Sequence, residues 1–207
     1  MVDTKLTMHR KYQHVAYYEY KGIQQPIYYY QEGIFLKALT KAYAQLDNLL
    51  SYHSRVTVAL IQFNQTTQLS HNKHLSKFIQ ELKNLCVEHY SIKGERFGYA
   101  WAREEGKEGN NQHYHIAIMI DGSVCNSAYQ ITQLAKQACL AVSPLYSIHA
   151  PKRNEFKVQR VGEQQKLRTA RMRASYAYKY ATKEKVPKGV RRFGNSSIKP
   201  KESNINL

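Results

Sequence analysis

Apolar positions recur along this chain with two periods, and the switches between them mark its elements. Ile34, Leu36, Leu39, Leu46, Leu49 and Leu50 fall near helical spacing and predict a helix over about 33–50. Residues 55–63 (RVTVALIQF) are a β-branched and apolar run, which predicts a buried strand. Leu75, Phe78, Ile79, Leu82, Leu85 and Cys86 lay an apolar stripe along a helix of about 71–90. Two strands follow, 97–105 and 112–120, and the turn-forming segment 106–111 (GKEGNN) between them predicts a hairpin. Ile131, Leu134, Ala135 and Ala138 predict a helix of about 127–141. Pro144 and Pro151 punctuate a loop, 156–161 (FKVQRV) alternates as a strand does, and a last helix is expected over about 166–184, closed by Pro187 and Gly189.

The order strand, helix, strand, strand, helix, strand predicts an α+β fold of ferredoxin-like (RRM-like) type: an antiparallel sheet with helices packed on one face and the other face open. The expected organisation is an N-terminal extension over 1–32, polar and rich in tyrosine, a single domain over 33–193, and a flexible tail over 194–207. With 207 residues, 43% of them hydrophobic, the chain can bury a proper core. It shows no internal repeat.

Charge then narrows the partners. The formal net charge is +16, which calls for a polyanion, and nucleic acid is the strongest candidate because phosphate neutralisation dominates its binding. Seventeen tyrosines against six phenylalanines fit stacking on unpaired bases, though they fit ordinary packing too. No apolar run reaches membrane-spanning length, so no membrane is expected as partner, and with a polyanion expected, no small-molecule substrate is either. Cys86, Cys125 and Cys139 have no zinc-finger or CxxC spacing, and Cys86 and Cys139 fall at core positions of helices. With no signal-peptide pattern, a reducing cytoplasm is the expected location.

Two short segments carry the chemistry. His113-Tyr114-His115 opens the buried run HYHIAIMID, and strand alternation turns both imidazoles to one side, as a divalent metal site requires. Glu104, near the end of the partner strand, can join them, with Glu105 as the alternative one residue on. Two imidazoles and a carboxylate leave coordination positions open for phosphate oxygens and water. Downstream, Tyr176 and Tyr180, and likewise Lys179 and Lys183, are four residues apart, so each pair shares a face of the expected helix. Alone, the histidines could be satisfied strand residues and the tyrosines a core stripe. Their order and spacing together favour a functional site.

The segments FGYAWARE, HYHIAIMID, SYAYKYATK and GVRRFGNSS, in this order over about 50–197, resemble HUH-type rolling-circle replication initiators, in particular inovirus-type replication proteins and their prophage-encoded relatives. The resemblance implies nicking and rejoining of single-stranded DNA, at an origin or hairpin, through a 5′-phosphotyrosine, with a divalent metal ion (Mn2+ or Mg2+) as cofactor. It makes His113, His115 and Glu104 the metal ligands, Tyr176 the nucleophile, Lys179 its helper and Tyr180 a second catalytic tyrosine. The segment Gln62-Phe63-Asn64 departs from the acidic strand ending of that family. Arg168, Arg171, Arg173, Lys183, Arg191 and Arg192 are the expected DNA-binding residues. A host helicase and polymerase would be further partners, since the chain has no GxxxxGK[ST] loop of its own. A non-catalytic single-strand-binding module, a relaxase or transposase of the same chemistry, and a zinc hydrolase are the competing readings.

Overall fold

The computed structural model describes residues 6–106, 111–180 and 186–202. Strands β1 (Leu6–Met8), β2 (Val15–Tyr20) and β3 (Ile23–Tyr28) form a small antiparallel sheet. Helix α1 (Leu36–Tyr52) leads into β4 (Arg55–Gln65), α2 (Lys73–Tyr90), and the hairpin of β5 (Gly98–Glu105) and β6 (Gln112–Asp121). Then come α3 (Ala128–Val142), the short strands β7 (Ser147–His149) and β8 (Glu155–Gln159), α4 (Gln164–Ser175) and β9 (Phe193–Asn195). The larger sheet has the order β7-β4-β6-β5-β9, with β8 pairing β4 beyond β7. Every pairing in it is antiparallel, and the fold is α+β.

β4 and β6 lie at the centre of the sheet, and both of their faces are covered, which is why their sequences read as nearly continuous apolar runs. One face of β4 (Ala59, Ile61, Phe63) packs against α2 and α3 through Phe78, Leu82, Cys86, Ile131 and Ala135. Phe63 stacks on Phe78 with ring centroids 4.5 Å apart. Burying one such ring contributes about 2–3 kcal/mol. Val56 and Val58 face the opposite way, into a second core with Leu39, Tyr43, Leu46, Ala100, Met119 and Leu167. The far face of the sheet is therefore not open, as the sequence pattern suggested; α1 and α4 close most of it.

The N-terminal segment folds as a small second sheet and packs on the domain. Ala16, Tyr18 and Tyr20 alternate inward along β2. Lys21 and Gly22, with φ of 52° and 74°, make the two-residue turn to β3. Tyr20 donates its hydroxyl to Asp47 Oδ2 at 2.8 Å, and Tyr18 shares a 2.6 Å hydrogen bond with Thr40. β3 in turn grips α4: the Gln25 amide donates to the Arg168 carbonyl at 3.1 Å, and the Tyr28 N–H donates to Ser175 Oγ at 2.9 Å.

Two further expectations are corrected. The last helix stops at Ser175, well short of residue 184, because the next residues find backbone partners elsewhere. Phe35 N–H donates to the Tyr178 carbonyl at 2.9 Å, Lys179 bridges Ile34, and Tyr180 N–H donates to the Gly33 carbonyl at 3.0 Å. The chain beyond 193 is also tied down as far as Lys201. β9 covers the edge of β5, Asn48 donates to the Ile198 carbonyl at 2.7 Å, and Lys201 N–H reaches Ser51 at 2.7 Å. Gly194 lies so close under Trp101 that a Cβ there would sit 2.5 Å from the indole. Among the described residues, no helix is long and apolar enough to cross a membrane.

Candidate active site

On the α1/α4 side of the sheet, apolar side chains give way to polar ones toward one end of the central strands. Leu60, Ala117 and Ala100 are followed on that face by Gln62, His115, His113 and Glu104. Register brings the polar set together: Glu104 is the cross-strand partner of His113, Ala102 and Gln62 flank His115, and Asn64 flanks His113. Glu104 Oε2 lies 2.6 Å from His115 Nε2 and 3.5 Å from His113 Nε2. Ligand atoms from all three residues fall within 4.8 Å of one another. Two imidazole nitrogens and a nearly buried carboxylate converging in this way form a donor set that suits a divalent metal ion. His113 and His115 keep 27% and 15% of their side chains exposed, so the cluster can be reached from solvent.

Glu105 points the other way, which decides between the two glutamates. Its carboxylate takes a 2.6 Å hydrogen bond from Arg103 Nε, and both side chains are fully buried. Arg103 further donates to Asn72 Oδ1 at 3.0 Å, to Gln112 Oε1 at 2.6 Å and to the Leu69 carbonyl. The Tyr114 hydroxyl joins through Asn72 at 2.8 Å, and burial pushes its pKa up to about 12. This buried network clamps β5 to β6 directly behind the His–His–Glu cluster and fixes which residues face it.

The tyrosines that the sequence offers as equivalents are not equivalent. Tyr176, Ala177 and Tyr178 form a single 3-10 turn after α4, and Lys179 is extended, so the expected sharing of one helix face by Tyr176 and Tyr180 does not occur. Tyr176 is 38% exposed and stands edge-on to His115, with ring centroids 5.8 Å apart. Tyr178 is buried and stacks on Phe193 at 5.4 Å, anchoring the turn. Tyr180 stacks on Phe35 at 3.9 Å. Lys179 Nζ lies 3.9 Å from the centre of the Tyr176 ring and 3.6 Å from Glu104 Oε1. Burial alone would pull its pKa down, but the hydrogen bond with Tyr176 and the charge of Glu104 outweigh that and raise it, so Lys179 is an ammonium at neutral pH.

Three residues at the site carry no role in the sequence analysis. Gln62 Nε2 lies 3.3 Å from His115 Nδ1, the ring nitrogen turned away from Glu104. Tyr28 and Tyr30, from the N-terminal segment, stand edge-on to Tyr176 at 6.1 and 6.4 Å. The Gln62 signal was visible as an unusual strand ending; the tyrosine wall had none, because only the N-terminal sheet brings it here. Beside the site, an apolar cavity of about 210 Å3 runs between α1, α4 and the sheet, and its lining includes His115, Gln62, Arg173 and Tyr176.

The expected basic residues divide. Arg171 is buried, pairs with Asp47 and lies over the rings of Tyr20 and Tyr43 at 4.9 and 5.5 Å, so its expected place on DNA gives way to a structural one. Arg168 is half-buried and donates to the Gln24 carbonyl at 3.0 Å, tying α4 to the N-terminal sheet. Arg173 donates to the Lys152 carbonyl at 3.3 Å beside the cavity. Arg191 and Arg192 lie together along a separate groove with Lys188. Lys183 lies outside the described residues.

Fold and site together define an α+β protein with a His–His–Glu cluster at one end of its central strands and a tyrosine–lysine pair against it. The chain belongs to the YagK/YfjJ C-terminal domain family, whose model matches residues 20–196, from the end of β2 to just past β9. Comparison with curated proteins and with solved structures gave no match.

Proposed function

We propose that the protein is a metal-dependent endonuclease that nicks and rejoins single-stranded DNA through Tyr176, as HUH-type rolling-circle initiators do, in the cytoplasm of a bacterial host during replication of a phage or mobile element. The observation that carries this reading is the convergence of Tyr176 and Lys179 on the cluster of Glu104, His113 and His115. The core order, with β7 and β8 both beside β4 and then β6 and β5, supports the ferredoxin-like expectation that goes with it. A net charge of +16 supports a polyanionic substrate.

A divalent cation such as Mn2+ held by Glu104, His113 and His115 would polarise the scissile phosphate and help to bear its developing charge. Coordination through Nε2 would leave the proton of His115 on Nδ1; Gln62, whose Nε2 is the atom 3.3 Å from that nitrogen, would accept it by turning its amide over to present the oxygen. The Tyr176 oxygen forms a bond to phosphorus as the bond from phosphorus to the 3′ oxygen breaks. The phenol gives up its proton, and the departing strand gains one as a 3′-hydroxyl. Lys179, charged and with Nζ 3.9 Å from the centre of the Tyr176 ring, would lower the energy of the phenolate and attract the phosphate. The phosphotyrosine ester conserves the bond energy, so a 3′-hydroxyl can reverse the step and reseal the strand.

The test is incubation of the protein with random-sequence single-stranded oligonucleotides and Mn2+, followed by denaturing electrophoresis and mass spectrometry. A DNA adduct on the Tyr176 peptide, lost with chelator and in Tyr176→Phe, is the expected result. No adduct over a range of sequences and divalent metals would overturn the proposal.

A further inference from the structure

We infer that Tyr180 and Phe35 are a stacking platform for bases in a second, basic groove that holds single-stranded DNA outside the reaction centre, and that Tyr180 is not a nucleophile. This rests on the reading that single-stranded DNA is the substrate; what it adds is a site and a different role for the second tyrosine. Lys179 is extended, so the side chains of Lys179 and Tyr180 project to opposite sides of the chain. Lys179 turns toward Glu104 and Tyr176, while Tyr180 turns toward Phe35.

The Tyr180 ring is held there from several directions. It stacks on Phe35 with centroids 3.9 Å apart and planes 25° apart, and Phe35 leans on Phe193 at 4.8 Å. Its N–H is bound to the Gly33 carbonyl at 3.0 Å. Gly33 has φ of 97°, and a Cβ at that position would come within 3.1 Å of the Tyr180 ring, so the close approach depends on glycine. Tyr180 nevertheless keeps 37% of its surface exposed.

The exposed side faces a groove of about 1090 Å3, which Phe35 and Tyr180 line together with Lys37, Lys41, Lys188 and Arg191–Arg192. Lys37 and Lys41 are exposed on one face of α1, four residues apart. Among the described residues, the lining contains no carboxylate. The partly exposed Tyr180 ring, backed on one face by Phe35 and set beside clustered cations, matches a base and phosphates in one ligand, which neither an acidic peptide nor a lipid surface offers. Phe193 and its neighbours in β9 pair with β5, the strand that carries Glu104, so the groove adjoins the cluster across the sheet edge.

The experiment measures binding of a fluorescein-labelled mixed-sequence oligonucleotide in chelator, where no cleavage occurs. Tyr180→Ala and Phe35→Ala should each weaken binding by about tenfold, the usual loss for one stacked base. Tyr180→Phe should restore wild-type affinity, because the ring and not the hydroxyl does the stacking. An oligonucleotide containing 2-aminopurine should be quenched by wild type and by Tyr180→Phe, and less by Tyr180→Ala. Lys188→Gln with Arg191→Gln, which touches no core residue, should flatten the salt dependence. Unchanged affinity in Tyr180→Ala, or a DNA adduct mapped to the Tyr180 peptide in Mn2+, would overturn the inference while leaving Tyr176 chemistry standing. Displacement of the oligonucleotide by mononucleotide at equal concentration would overturn the strand and point to a nucleotide site. Tyr180-dependent binding with no adduct in any metal would instead overturn the nuclease proposal and leave this one intact.

Discussion

Glu104 and His115 are 2.6 Å apart although they are not cross-strand partners; Glu104 faces His113 in the register, and reaches His115 on the diagonal. Diagonal neighbours two residues apart across a sheet are within reach of long side chains. The glutamate can therefore serve both imidazoles at once, and the cluster is assembled by a single hairpin.

Because of that geometry, metal should stabilise the wild-type fold measurably. With Mn2+ at about 100 times its dissociation constant, the expected gain is about 2.7 kcal/mol, seen as a rise in Tm by calorimetry. His113→Ala, His115→Ala and Glu104→Ala should each abolish the rise. A metal-induced rise that survives in Glu104→Ala would remove that carboxylate from the ligand set.

Glu105→Ala should behave in the opposite manner. It leaves the fully buried Arg103 guanidinium without its carboxylate, and removing one partner of such a pair destabilises by about 3–5 kcal/mol. The loss should appear in urea unfolding without any metal present. A near-neutral effect would mean that the Arg103 network does not clamp the hairpin.

Covalent chemistry should separate the two neighbouring tyrosines of the 3-10 turn. Tyr176→Phe keeps the ring against His115 but deletes the hydroxyl of the proposed nucleophile, and should yield no DNA adduct in Mn2+. Tyr178→Phe keeps the stack on Phe193 and should yield the adduct normally. Equal adduct in both variants would remove Tyr176 from the mechanism.

Among the arginines, stability and DNA binding should be separable. Arg171→Ala breaks the buried pair with Asp47 and should cost about 3 kcal/mol in denaturant unfolding. Arg191→Gln with Arg192→Gln should leave stability within about 0.5 kcal/mol, as surface changes do. The same double variant should reduce the salt slope of single-strand binding by about 1.4, that is about 0.7 per phosphate contact. An unchanged slope would take these two residues off the DNA.

Thiol reactivity gives a check on the core itself. Burial raises all three cysteines, Cys86 to about 12 and Cys139 to about 11. At pH 8 they are protonated as well as enclosed, so a thiol-specific disulfide reagent should find none of them in native protein. All three should react in denaturant; rapid reaction of native Cys86 would contradict the packing of α2 on β4.

The sequence by itself determined α1, α2 and α3, strands β4, β5, β6 and β8, the hairpin, and the facing of His113 and His115, because period and turn chemistry are local properties; the short edge strands β7 and β9 carry too few residues to show a period. It carried Glu104 only to within one residue, since alternation says which glutamates oppose each other but not which face holds the histidines. What only the tertiary structure decided depends on contacts distant in sequence. α4 stops at Ser175 because Gly33, Ile34 and Phe35 offer the following backbone its hydrogen bonds, a competition that no local helix pattern contains. That early stop turns Tyr176 to His115 and Tyr180 to Phe35, where a continuous helix would have put both on one face. Arg171 reads as a surface cation until Asp47, on another helix, is packed against it. The N-terminal tyrosines likewise become a wall of the site only once β3 is pinned to Ser175.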